Sequence, residues 1–164
     1  MTETDEPPPG DGTETVALVG APNVGKSVVF NALADDYVDV SNYPGTTVET
    51  TLARMDEYAI TDTPGVYGIS SFDEEERITR EIVLEVDRAI NVVDAAHLDR
   101  DLFLTLQLLD MGVPTVVCLN MMDEAGTAGL DVDPAALERE LGVPVVPTVA
   151  VSGEGLGELP DRLP

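Results

Sequence analysis

Gly20-Ala21-Pro22-Asn23-Val24-Gly25-Lys26-Ser27 fits the pattern G-x-x-x-x-G-K-[ST]. An apolar run, Thr15–Val19, precedes it and reads as a strand, and a helix from about Gly25 to Ala34 follows it. In that strand–loop–helix context the backbone N–H groups of Gly25, Lys26 and Ser27 close around phosphate oxygens at a helix N-terminus. Gly20, Asn23, Val24 and Val28 complete the expected nucleotide cradle. Lys26 supplies a point charge for the terminal phosphates, and the Ser27 hydroxyl is an expected Mg²⁺ ligand. A nucleotide is therefore the expected ligand.

Outward from this loop, short apolar runs alternate with helical periodicity, which is the signature of βαβ units. Further strands are expected near Val48–Arg54, Glu57–Thr61, Arg88–Val93, Val116–Leu119 and Val143–Val149, the last towards an edge because of Pro144 and Pro147. Asp73 with Glu76 three residues later has capping-box spacing for a helix to about Leu84. A second helix spans Asp99–Met111, closed by Gly112, and a third starts at Asp133-Pro134 and ends near Leu141. Asp35–Thr47 reads as a loop. The expected fold is α/β: a three-layer P-loop NTPase architecture with a mostly parallel six-stranded sheet and helices on both faces. Residues 1–13 read as a disordered acidic, proline-rich tail, and 14–164 as the globular domain. Pro160 and Pro164 leave room for only a truncated last helix, which suggests a piece of something longer.

The 164 residues carry 32 Asp+Glu against 8 Lys+Arg, a formal charge of −24, and a pI near 4.1. Such a surface repels phosphate backbones, so nucleic acid is not an expected partner. Lys26 is the only lysine, the other basic residues being arginines. An acidic, lysine-poor surface suits high salt, where screening weakens repulsion between carboxylates, and a salt-loving archaeal source is expected. The single cysteine, Cys118, excludes an internal disulfide and fits a reducing compartment. Apolar runs such as Val113–Leu119 fall far short of the roughly 18 residues a membrane helix needs, so no transmembrane segment is expected.

Four further stretches carry chemistry. Asp62-Thr63-Pro64-Gly65 ends an expected strand, placing a second carboxylate towards Mg²⁺ and the Gly65 N–H towards the terminal phosphate. In Asn42-Tyr43-Pro44-Gly45-Thr46-Thr47-Val48-Glu49 a threonine, Thr47 in preference to Thr46, is placed to complete the metal shell and order the loop. Asn120-Met121-Met122-Asp123 follows a buried strand. Guanine presents N1–H and N2–H₂ side by side, which Asp123 can accept together, and adenine lacks that pair. Asn120 would pin the loop beside the base. Met121, with Ala150 and Val151 of Ala150-Val151-Ser152-Gly153, would flank it, the Ala150 backbone facing the base oxygen.

With these motifs in order the chain looks like a translation-factor-type GTPase. More narrowly, it resembles the N-terminal cytosolic G domain of the FeoB family of ferrous-iron transporters. That match rests on Asn42–Glu49, Asn91-Val92-Val93-Asp94-Ala95, Leu102–Leu109 and Asn120-Met121-Met122-Asp123, where methionine follows the asparagine as is common in that family. The resemblance implies GTP and GDP as ligands, Mg²⁺ as cofactor, weak GTP binding, quick GDP release and, in some members, activation by K⁺. Asn23 matches the K⁺ position. It also implies a FeoB-type membrane permease as partner, fused or separate, and a cytoplasmic location at the inner face of the membrane. The helical regulatory domain and permease of such proteins are not in these residues.

Within this reading Lys26, Asn23, Thr47 and Gly65 are the candidate catalytic residues. Val66 stands where many GTPases keep a water-orienting glutamine, so slow hydrolysis by positioning and electrostatics is expected. Arg77, Arg80 and His97 read as surface residues and Cys118 as core. Two other readings stay open: a nucleotide-sensing switch module that barely turns over, and an Era-like ribosome-assembly GTPase. Met121 and the acidic charge both count against the second.

Overall fold

The computed structural model describes residues 12–70 and 72–164, so residues 1–11 of the expected tail lie outside the described part. Strand β1 (Glu14–Gly20) feeds the phosphate-loop motif and helix α1 (Lys26–Leu33). An antiparallel pair follows, β2 (Asp36–Asn42) and β3 (Glu49–Met55), and then β4 (Tyr58–Asp62). Thereafter helices and strands alternate through α2 (Glu74–Glu85), β5 (Arg88–Asp94), α3 (Leu98–Asp110) and β6 (Thr115–Asn120). Helices α4 (Met122–Thr127) and α5 (Pro134–Leu141), strand β7 (Val145–Pro147), a 3-10 turn at Ala150–Ser152 and helix α6 (Glu158–Asp161) complete the chain.

The sheet has the order β2-β3-β4-β1-β5-β6-β7. Strands β4, β1, β5, β6 and β7 are parallel, and β3 and β2 are antiparallel additions at one edge. Alternation along each strand builds two cores. Val16, Leu18, Ile90 and Val92 face α1, whose Val29, Phe30 and Leu33 are buried with Leu156 and Leu159. Ala17, Val19 and Ala89 face the other way, against Ile78 and Ile82 of α2 and Leu104 and Leu108 of α3. A third cluster joins Val93, Val117, Leu119 and Val145 to Ala125 of α4 and half-buried Leu137 and Leu141 of α5. Strands buried on both faces read as continuous Val/Ile/Leu runs, the pattern of parallel sheets under helices.

Helix starts follow local chemistry. Asp73 accepts the Glu76 N–H at 2.8 Å to cap α2, and Asp133 accepts the N–H groups of Ala135 and Ala136 to cap α5, with Pro134 in its first turn. The sheet has seven strands rather than the expected six. The seventh, β2, lies inside the stretch read as a loop: it is an edge strand whose residues are all exposed, so no burial alternation marks it. Helix α4 was also not expected, because its six residues bury only Ala125. The last strand is shorter than Val143–Val149, since Pro144 and Pro147 donate nothing to the ladder.

Cys118 is fully buried in β6, and that burial pushes its thiol up to about 12. Iodoacetamide at pH 8 is therefore expected to label it only on denaturation. Labelling of the folded protein at the rate of an exposed thiol would contradict this packing.

Candidate functional site

Parallel strands β1, β4, β5 and β6 end on one edge of the sheet, where loops gather beside the start of α1. The turn from β1 into α1 needs left-handed backbone at Asn23 (φ 65°) and Gly25 (φ 87°). Asparagine tolerates that region through local polar contacts, and glycine enters it at no steric cost. Gly25 has a second requirement, because a Cβ there would sit 2.5 Å from Asn120 Nδ2. Ser27 and Asn23 are exposed, and Val28 is exposed one residue further along the helix.

The Asp62–Gly65 segment zips onto this loop. Lys26 Nζ donates to Asp62 Oδ1 at 2.5 Å and also to the Thr63 carbonyl, with the lysine side chain 10% exposed and the aspartate 22%. The Thr63 hydroxyl donates to the Leu18 carbonyl, and the Val66 N–H donates to the Gly20 carbonyl at 3.0 Å. Gly65 lies so close to Pro22 that a Cβ would meet its backbone at 3.2 Å. Val66 itself is 4% exposed and packs in the α2-side core. A cleft of about 420 Å³ opens beside Gly65 and Pro22 and extends to Tyr67, Asp73, Glu76 and Phe103.

On the other side, Asn120 joins three segments. Its Nδ2 donates to the Val24 carbonyl at 2.9 Å, and its Oδ1 accepts from both the Thr148 hydroxyl and the Ala150 N–H at 3.0 Å. The expected pinning role of Asn120 thus has definite partners. The Ala150 N–H, expected to face a base oxygen, donates to Asn120 instead. Thr148 escaped the sequence reading; its only signal was a polar residue inside the apolar run Val145–Val151. Gly25, Val28, Met121, Asp123 and Val151 line one cleft with Asn120, and the Asp123 side chain is exposed in it. Met121 (φ 62°) takes the left-handed region in starting α4, which turns the chain sharply after β6.

Thr47 lies in the connection from β2 to β3. Thr46 donates its hydroxyl to the Tyr43 carbonyl at 2.8 Å and accepts the Val48 N–H, whereas Thr47 is exposed. The Tyr43 hydroxyl donates to Glu81 Oε2 of α2 at 2.8 Å. Glu81 is held below the usual carboxylate range, first by that hydroxyl and then by Arg77, and the same hydrogen bond pushes the Tyr43 hydroxyl up. Arg77 is engaged with Glu81 at 2.9 Å. His97 precedes α3 with its Nδ1 2.8 Å from Asp94 Oδ2, where β5 ends beside Asn120. Asn91 is buried and accepts the Thr105 hydroxyl at 2.5 Å, fixing α3 to β5.

Removal of the Asn120 side chain strands the Val24 carbonyl and the Ala150 N–H in a buried place and leaves the Thr148 hydroxyl with only the Cys118 sulfur. Asn120→Ala is expected to cost about 2–4 kcal/mol in chemical denaturation. A cost below about 1 kcal/mol would show that this junction is dispensable.

The sequence profile of the family described as Ferrous iron transport protein B (FeoB_N) matches residues 14–163. A Porphyromonas gingivalis Fe(2+) transport protein A/Fe(2+) transporter FeoB fusion protein is 45% identical over 155 residues, 90% of this chain and 18% of its own. The Fe(2+) transporter FeoB of Helicobacter pylori is 43% identical over 85% of this chain and 23% of its own. The chain thus spans about a fifth of the length of these relatives. A GDP-bound mutant of S. thermophilus NFeoB superposes with a TM-score of 0.88 at 35% identity, covering 92% of this chain and 60% of that one. The FeoB G-domain from Methanococcus jannaschii gives 0.75 at 37% identity, covering 90% and 93%.

Proposed function

Because the chain belongs to the FeoB_N family, with the fold of a P-loop GTPase G domain, we propose that it binds GTP and GDP and hydrolyses GTP slowly. The observation that carries this reading is the junction at Asn120, which holds the phosphate loop at Val24 and the Asp123 cleft in one piece. A guanine placed against Asp123 has both its N1–H and N2–H₂ accepted, with Met121 and Val151 at its flanks. Since the Ala150 N–H donates to Asn120, the neighbouring Val151 backbone is assigned to the base oxygen.

The phosphates lie over the N–H groups at the start of α1, where the helix dipole and Lys26 favour negative charge. Lys26 must exchange Asp62 and Thr63 for the terminal phosphates, which leaves the Asp62 carboxylate available. Ser27 and Asp62 offer the hard oxygen donors that suit Mg²⁺, and Thr47 would add a third once its loop is drawn in. When bound, the ion neutralises charge on the phosphate oxygens. Gly65 offers its N–H to the terminal phosphate, and the Asn23 side-chain oxygen is assigned to K⁺. Val66 cannot orient water through a polar side chain, so hydrolysis rests on positioning and electrostatics.

The relatives' names tie this domain to Fe²⁺ uptake. The proposed role is a nucleotide-driven control element on the cytoplasmic side of the membrane, acting on a FeoB-type permease that is fused or separate. Among the described residues no helix is long and apolar enough to cross a membrane, so transport itself would belong to that partner.

Single-turnover GTP hydrolysis with Mg²⁺, in KCl and NaCl at equal high ionic strength, tests the activity. Faster cleavage in KCl is expected, with Lys26→Ala abolishing it in both salts. Absence of cleavage in either salt, with GDP still bound, would support the nucleotide-sensing module favoured by the burial of Val66.

A further inference from the structure

The turn that carries Thr47 is internally rigid. The Tyr43 N–H donates to the Val48 carbonyl at 2.7 Å, and the Thr46 N–H donates back to the Tyr43 carbonyl at 3.0 Å. Pro44 and Gly45 (φ 78°) are the residues a type II turn takes at its centre. Both ends of the turn are anchored, since Tyr43 and Val48 pack against the core cluster that holds Ile78 and Ile82. The Tyr43 hydroxyl reaches on to Glu81, whose second oxygen takes Arg77.

This anchorage lies on the α2 face of the sheet. Helix α1, which begins at the phosphate loop with Lys26 and Ser27, packs on the opposite face. Thr47 therefore belongs to a unit fastened to one face, whereas the phosphate site is built from the helix on the other. We propose that the Tyr43–Glu81 hydrogen bond is a restraint on the nucleotide cycle. It holds the Thr47 turn against α2, and a terminal phosphate can draw Thr47 in only by releasing it. Tyr43 and Glu81 are positioning residues, acting on Thr47 without touching nucleotide.

The restraint has a second consequence. Helix α2 is the next helix after the Asp62–Gly65 loop, with eight residues between Gly65 and its start, so the turn is tied to the helix towards which that loop leads. A ligand shifts such an equilibrium only by its differential affinity for the two arrangements. GDP, which lacks the phosphate that recruits Thr47, gains nothing from release. A GTP analogue gains whatever the restraint withheld.

This inference rests on the proposed nucleotide reading, and Tyr43→Phe tests it while keeping the ring in the core. With Mg²⁺ present, binding of a non-hydrolysable GTP analogue is expected to tighten about three- to tenfold, with GDP affinity unchanged. Glu81→Ala should give the same gain, and the double variant no further gain, because both remove one bond. An unchanged or weakened analogue-to-GDP preference, or additive gains, would overturn the restraint. Amide hydrogen exchange over residues 43–48 without nucleotide judges it independently: faster exchange in Tyr43→Phe is expected, and unaltered exchange overturns it. A wild-type chain that binds neither nucleotide would defeat the nucleotide reading, and the exchange result would still decide whether the bond restrains the turn.

Discussion

The side chain of Asn120 joins the phosphate loop, the end of β6 and the segment after β7 through three hydrogen bonds, and the candidate site takes its shape from them. Few side chains combine a donor and an acceptor in one short planar group. Aspartate would turn the donor towards Val24 into a second acceptor facing a carbonyl. Leucine, with the same branching but more bulk, would leave the Val24 carbonyl and the Ala150 N–H unsatisfied at a position 3% exposed. The same contact dictates glycine at position 25, where a Cβ would collide with the amide nitrogen. One junction therefore sets both the phosphate loop and the wall that bears Asp123.

Charge is the second constraint. A chain of formal charge −24 must attract phosphates with one lysine and the backbone N–H groups at a helix start. Lys26 is almost fully covered and lies against Asp62 and the Thr63 carbonyl, partners that it gives up when a phosphate arrives. Its charge acts locally, over a distance shorter than the screening length at physiological salt. Elsewhere acids outnumber the arginines that pair with some of them, such as Arg77 with Glu81 and Arg162 with Glu138, so phosphate affinity depends on this small region rather than on long-range attraction.

Much of this was legible in the sequence, for a physical reason. Buried parallel strands are continuous apolar runs and capped helices carry Asp73 or Asp133 at their starts, so β1, β5, β6, α2, α3 and α5 were readable from local pattern. The phosphate-loop, Asp62–Gly65 and Asn120–Asp123 motifs were readable because backbone geometry and chemistry restrict which residues can serve. Strand β2 was hidden because an exposed edge has no alternation, and α4 because it buries a single alanine. Thr148 and the Tyr43–Glu81 bond were hidden because each joins residues distant in sequence, 28 and 38 positions apart. Spacing patterns do not reach so far.

The central claim is that the junction at Asn120 presents Asp123 to a guanine base. Calorimetric titration of the wild-type chain and Asp123→Asn with GDP and with XDP, at fixed Mg²⁺ and KCl, tests it most directly. Xanthine offers an acceptor where guanine has its amino group, and an asparagine amide can donate to it. The wild-type chain should prefer GDP, and Asp123→Asn should lose that preference by about 100-fold and turn towards XDP. An undiminished preference for GDP in Asp123→Asn would contradict the account.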